Sequence, residues 1–165
     1  MKRALVTGGS GTLGSCIASR LARDGLMVYV HAHGHPERAA AVCASIYAAG
    51  GMAESLVFDV RDETASKSAL EALLEQGPIQ VLVNNAGVHD DAPLAGMKPM
   101  QWKRVIDVAL LGFYNVTQPL LLPMIHTRWG RIINISSVSG VIGNRGQVNY
   151  SAAKSGLHGA TKALA

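Results

Sequence analysis

Five short apolar runs punctuate this chain at regular intervals, and they limit what it can fold into. "RALVT", "LMVYVHA", "AESLVFD", "IQVLVNN" and "GRIINISS" are rich in Val, Ile and Leu and almost unbroken in apolar character. A strand with one wet face alternates polar and apolar residues, whereas strands of a parallel sheet covered on both faces read as continuous runs. All five are therefore expected to be buried strands. Between them, residues 13–24, 36–49, 62–76 and 100–127 carry helical spacing, and a last helix starts near Asn149. Strand and helix alternate throughout, which implies right-handed crossovers and a doubly wound α/β sheet. No repeat, low-complexity tract or linker interrupts the 165 residues, so a single domain is expected over residues 1–165.

Composition narrows the function classes. Apolar residues make up 48% of the chain, as in globular proteins. The net charge of +4 comes without a long Lys/Arg run. That argues against nucleic acid and suits an anionic small molecule or an acidic protein partner. Cys16 and Cys43 form no CxxC pair and read as reduced thiols. The start "MKRALVTGGSG" is broken by glycines and is not a secretory signal. "VTQPLLLPMI" is interrupted by Pro119 and Pro123 and reads as too short to cross a bilayer. A soluble cytoplasmic protein with no membrane partner is expected.

Ligands of such sheets bind at the carboxyl ends of the strands, where the strand order reverses. The informative residues fall at those ends. Gly9-x-Gly11-x-x-Gly14 follows the first strand and opens a helix, the context in which this spacing serves a dinucleotide rather than a plain turn. The glycines let the backbone approach a pyrophosphate, and the helix start offers free N–H groups. The acidic residue that holds the ribose hydroxyls of NAD belongs at the end of the second strand. That stretch is "VYVHAHGHPER", with Ala32 at the expected acidic position and His31, His33, His35 and Arg38 around it. With no carboxylate there, a 2′-phosphate is not repelled, so NADP(H) is favoured and NAD(H) remains possible. The histidines also read as exposed loop residues. As a metal site they lack an accompanying carboxylate or cysteine set, and no metal is expected.

Tyr150 and Lys154, in "YSAAK", are four residues apart and share a helix face. A phenol ordinarily keeps its proton to about pH 10. An ammonium about 5 Å away, at an effective dielectric of about 20, favours phenolate by roughly 3 kcal/mol. That pairing makes a general acid for a carbonyl oxygen. By itself the spacing also occurs on solvated helix faces. Ser137, at the end of the fifth strand, adds a hydroxyl that can meet the same substrate oxygen.

"TGGSGTLG", Asp59–Val60, "NNAG" at 84–87, "NISS" at 134–137 and "YSAAK" together resemble the short-chain dehydrogenase/reductase family, over the whole chain. "GRIINISSVSGVIGNRGQVNYSAAKSGL" resembles the 3-oxoacyl-[acyl-carrier-protein] reductases within it. The resemblance implies a Rossmann fold and a cofactor held by Gly8, Gly9, Ser10, Gly11, Thr12, Leu13 and Gly14 around the pyrophosphate. It implies His33 near the ribose, Asp59 and Val60 at the adenine, and Asn84, Asn85, Ala86 and Gly87 along the adenosine ribose and sheet. Ser137 would orient the substrate carbonyl. Tyr150 would donate the proton, and Lys154 would bind the nicotinamide ribose and support the phenolate. Reduction of an acyl thioester on acyl carrier protein and a homotetramer or homodimer at full length are further implications.

The chain departs from the family pattern twice. Thr12 stands where a glycine is usual, and Gly11 restores the spacing. Ala109, in "DVALLGF", stands where the family carries an asparagine that anchors a relay water. Asn115 is six residues later, on another helix face, and is not expected to replace it. Ala109 keeps a non-catalytic dinucleotide-binding scaffold open beside the enzyme, and reductases of alcohols, sugars or steroids share much of the pattern. Arg128 and Arg131 read either as a basic rim for an acidic carrier protein or as a solvated pair at a helix end. The resemblance also implies further residues beyond "TKALA", so the chain is expected to be the N-terminal part of a longer reductase.

Overall fold

A computed structural model describes all residues, Met1–Ala165. Five parallel strands form one sheet in the order β3-β2-β1-β4-β5. They are β1 (Arg3–Val6), β2 (Met27–Ala32), β3 (Met52–Val57), β4 (Val81–Asn84) and β5 (Arg131–Asn134). The first helices are α1 (Thr12–Arg23), α2 (Pro36–Ala48) and α3 (Glu63–Glu75). After β4 come α4 (Pro99–Ile106), a π-turn at Asp107–Leu111 and α5 (Gly112–His126). Beyond β5 lie a short α6 (Ser139–Ile142) and α7 (Val148–Leu164). This is a Rossmann-like α/β fold, as the alternation of runs predicts.

The strands alternate inward faces, and each face has its own core. Ala4, Val6, Val28, Val30 and Ala32 pack with Ala18, Ala22, Ala39 and Ile46 of α1 and α2. The opposite face carries larger side chains. Leu5, Tyr29 and Leu82 meet Leu70 and Leu73 of α3 and Val116, Leu120 and Met124 of α5. Small residues on one side let α1 and α2 sit close to the sheet, which brings the start of α1 up against the end of β1.

Three expectations are corrected. Only β1, β2 and β4 are covered throughout; β3 and β5 are sheet edges, and Glu54, Val57, Arg131 and Ile133 are exposed. Apolar composition marks a strand without showing whether it has one neighbour or two. Secondly, the long helical stretch is not uniform. Residues 107–111 form a π-turn, and Pro119 and Pro123 lie inside α5 without ending it. The continuous helix Pro99–His126 thus has the length and composition of a membrane-crossing segment, although Val105, Val116, Leu120 and Met124 on it are buried in the fold. Thirdly, β5 does not lead directly to the last helix: the short α6 intervenes, while α7 begins at Val148, near Asn149 as expected.

Candidate active site

The strand order reverses between β1 and β4, and a crevice opens at their carboxyl ends. At the exit of β1, Gly8 takes φ +61°, a left-handed conformation that glycine adopts without steric cost. The turn folds Gly14 onto it. A Cβ on Gly14 would collide with the Gly8 carbonyl and stand 2.8 Å from Gly9 Cα. Gly11 supplies no side-chain cap to α1, and the N–H groups of Thr12, Leu13 and Gly14 have no protein acceptor. A bare backbone floor with free amides at a helix start fits a pyrophosphate. Ser10 lies within this loop, and Leu13 is exposed at its rim.

The loop after β4 is laced to the glycine turn by Thr7. Thr7 Oγ1 accepts from the N–H groups of Asn85 and Ala86, both at 3.0 Å. Asn85 Nδ2 in turn donates to the carbonyls of Thr7 and Gly8, at 3.0 and 3.1 Å. Asn84 points into the fold, where Nδ2 donates to Thr117 Oγ1 and Asn134 Oδ1, so it ties β4 to β5 and α5. Gly87 leaves room for the end of the Lys154 side chain.

His31 locks the other flank. It is 2% exposed; Nδ1 accepts from the Gly8 N–H at 3.1 Å, and Nε2 donates to the Phe58 carbonyl at 2.9 Å. These partners require the Nε2–H tautomer. Burial pushes its pKa down from 6.5 to about 4, against the opposing pull of the Phe58 carbonyl, so the ring is neutral at pH 7.

The expected acidic position is corrected from Ala32 to the next residue. Ala32 is in phase with Val28 and Val30, and its side chain lies in the core. His33 is the strand-end residue that faces out, with Nε2 3.4 Å from Asp59 Oδ2. Arg61 closes on the same carboxylate at 2.6 Å, and this hydrogen bond holds the Asp59 carboxyl below its usual range. The end of the second strand is thus flanked by Asp59 at the end of the third, whose carboxylate pairs with Arg61 and lies beside His33. The Val60 side chain is buried and its carbonyl accepts from Asn115 Nδ2 at 2.9 Å, so its side chain is not offered to a ligand.

The tyrosine–lysine pair lies on the last helix. Tyr150 and Lys154 sit on one face of α7, with the ammonium 5.7 Å from the phenol ring centre. Lys154 is 3% exposed. Its Nζ donates to the Ile135 carbonyl at 2.6 Å, which draws the turn after β5 towards α7. Desolvation lowers the lysine pKa from its ordinary value. Ser137 Oγ accepts from the Ser139 N–H at 3.2 Å, leaving the hydroxyl proton free to donate. Ala109 is buried in the π-turn, beside a cavity of about 10 Å³ also lined by Thr7 and Asn84. Asn115, turned to Val60, does not take its place.

Arg128 and Arg131 lie at the amino end of β5, because Arg131 pairs with Val81 at the start of β4. That is the end of the sheet away from Ser137, which removes them from the rim of this site. A groove of about 530 Å³ between α5 and the end of α7 contains both arginines and is separate from the crevice.

A glycine cradle, a tyrosine–lysine pair and a serine thus meet at one end of a parallel sheet. A family model for short chain dehydrogenases matches residues 2–165. The chain belongs to the short-chain dehydrogenase family. It is 45% identical to a 3-oxoacyl-[acyl-carrier-protein] reductase of Aggregatibacter actinomycetemcomitans, over 98% of this chain and 67% of that protein. It is 47% identical to Nodulation protein G of Azospirillum brasilense, over 99% and 67%. With an acetoacetyl-CoA reductase of Allochromatium vinosum the figure is 44%, over 98% and 67%. A nicotinamide dinucleotide is the cofactor of such a dehydrogenase fold, and the free amides at the start of α1 suit its pyrophosphate.

Thr7 and Asn149 escaped the sequence reading as site residues, and His31, grouped there with exposed loop histidines, is buried instead. Asn149 is fully buried; it donates to the carbonyls of Asp90 and Gln101 and accepts the Tyr150 N–H. The only local signal for it is a polar residue directly before Tyr150.

Proposed function

We propose that this chain carries the cofactor-binding and proton-donating machinery of an NADPH-dependent reductase that converts a 3-oxoacyl thioester on acyl carrier protein into the 3-hydroxyacyl form. The observation that carries it is the convergence of Ser137, Tyr150 and Lys154 at the carboxyl end of β5, opposite the glycine cradle. The names of two relatives specify 3-oxoacyl thioesters, one on a carrier protein and one on coenzyme A. When bound, the nicotinamide supplies the hydride. The Ser137 hydroxyl, its oxygen already accepting from Ser139, donates to the substrate carbonyl and orients it. Tyr150 gives its proton to the same oxygen as negative charge develops there. The buried Lys154 ammonium, 5.7 Å from the centre of the Tyr150 ring, favours the resulting phenolate. NADP(H) is the preferred cofactor in this reading because the end of β2 carries His33 and no carboxylate of its own, with Arg61 close by on Asp59.

An acidic carrier protein suits the positive charge of the chain. Tyr114, Leu122 and Ile125 are exposed on α5 and support self-association into a dimer or tetramer. A cytoplasmic location accords with this reading. The test is NADPH consumption with acetoacetyl-carrier protein, beside a panel of simple alcohols, sugars and steroid ketones in the same assay. Tyr150→Phe should lower the rate at least about a hundredfold while NADPH binding holds. A variant that keeps most of the rate refutes the acid role, and turnover confined to the panel moves the substrate class. Ala109 favours one second reading, a dinucleotide-binding scaffold without chemistry; tight NADPH binding with no turnover of any of these substrates would establish it.

A further inference from the structure

His89 lies in the loop beyond β4, and its imidazole is stacked on the Tyr150 ring. The ring centres are 4.1 Å apart and the planes differ by 30°. The histidine is exposed. Neither of its ring nitrogens has a hydrogen-bond partner in the protein, and neither has the Tyr150 hydroxyl. The polar edges of both rings are therefore left without a protein partner.

The stack is held from behind. Asn149 Nδ2 donates to the Asp90 carbonyl at 2.9 Å, one residue beyond His89, while its Oδ1 accepts the N–H of Tyr150 at 2.8 Å. One buried side chain thus clamps the backbone beside both rings. The charged groups around His89 are accounted for. Asp90 accepts from Gln101 Nε2 at 2.7 Å and lies 3.7 Å from Arg104 on α4. Asp91 accepts from Gln147 Nε2 at 2.8 Å. On α7 the neighbouring cation is Lys154, whose ammonium donates to the Ile135 carbonyl and keeps its charge 5.7 Å from the Tyr150 ring centre. No carboxylate is left directed at the imidazole by these contacts.

We propose that His89 is a second proton-handling residue of the site, positioning the Tyr150 ring and, when protonated, supporting and reprotonating the tyrosinate. This rests on Tyr150 acting as the proton donor described above. When Tyr150 releases its proton to the substrate oxygen, an O–H bond breaks on the phenol and one forms on the product. The phenolate then needs a proton before the next turnover. Ala109 offers no polar side chain to conduct one. An imidazolium against the ring stabilises the phenolate as a cation over a π-face. It passes its N–H proton to the phenolate through a water on the shared rim and is itself reprotonated by solvent. Imidazole is the side chain whose charge changes between about pH 5 and 8, so it can both give and regain a proton under the same conditions.

The decisive measurement does not depend on turnover. A polyfluorotyrosine at position 150 is acidic enough for its phenol to ionise while an imidazole is still charged, and its fluorine resonances report the ionisation. Replacing His89 by Phe keeps a stacked ring and removes the charge; His89→Gln provides a second uncharged variant should Phe disturb folding. The midpoint of the phenol ionisation should move up by about half a unit or more in both. An unchanged midpoint in the folded variants overturns the proposal, whatever substrate the protein reduces. In the reductase assay, His89→Phe should lower the rate while NADPH affinity holds, and an unchanged rate also overturns the proposal. A protein inert to the thioester refutes the substrate assignment alone, because the phenol titration is read without substrate.

Discussion

Acidification should release the glycine cradle through one buried ring. His31 is neutral in the fold because it is desolvated, with its pKa lowered from 6.5 to about 4. In the unfolded chain the ring takes up a proton near 6.5. Between these values the unfolded state binds more protons than the folded one, so stability falls as pH falls from 6.5 towards 4 and is unaffected by this group above that window. A difference of about 2.5 units corresponds to about 3 kcal/mol in all, a large share of the stability of a small domain. Protonation also removes the acceptor for the Gly8 N–H, so the cradle should lose ligand affinity along with stability. Urea unfolding of the wild type and of His31→Gln, at about pH 7 and about pH 4.5, isolates the effect, because all carboxylates titrate alike in both proteins. The wild type should lose roughly 2–3 kcal/mol more than the variant over that interval. Equal losses, or an imidazole resonance for His31 that titrates near 6.5 in the folded protein, would refute the reasoning.

Thr7→Val should destabilise the fold by about 1–3 kcal/mol in urea unfolding, since it strands the Asn85 and Ala86 amides, whereas Thr7→Ser should lose little; equal costs for the two would count against the hydroxyl. His33→Asp should turn a preference for NADPH into one for NADH, measured by fluorescence titration, and an unaltered preference would remove His33 from the ribose end of the site. Gly14→Ala has no room for its methyl group and should cost about 1–3 kcal/mol and abolish dinucleotide binding in the same titration; retained affinity would mean that the turn opens more readily than its packing suggests.

The features readable from sequence were those whose parts are close together in it. The glycine loop spans a few residues, and Tyr150 and Lys154 are one helical turn apart, so spacing alone places them. Thr7 and Asn85 are 78 residues apart, and His31 and Phe58 are 27 apart; only the sheet brings them together. The displacement from Ala32 to His33 has another origin. Period-2 phase with Val28 and Val30 puts Ala32 on the face packed against α1 and α2, and that phase is available in the sequence. The exposed edges β3 and β5 were not distinguishable, because neighbours across a sheet leave no mark on a short apolar run. The π-turn at 107–111 was hidden because the residues "DVALL" suit an α-helix equally well.

The hydroxyl of Thr7 has a mechanical consequence. The strands on either side of the reversal point end in separate loops, and such loops could ordinarily swing apart. Here a single oxygen receives two amides from the second loop, and the Asn85 side chain returns two bonds to the first. The two loops therefore move as one rigid jaw. The floor of the crevice is set before anything enters it, and an arriving dinucleotide meets a surface whose ordering cost was met during folding.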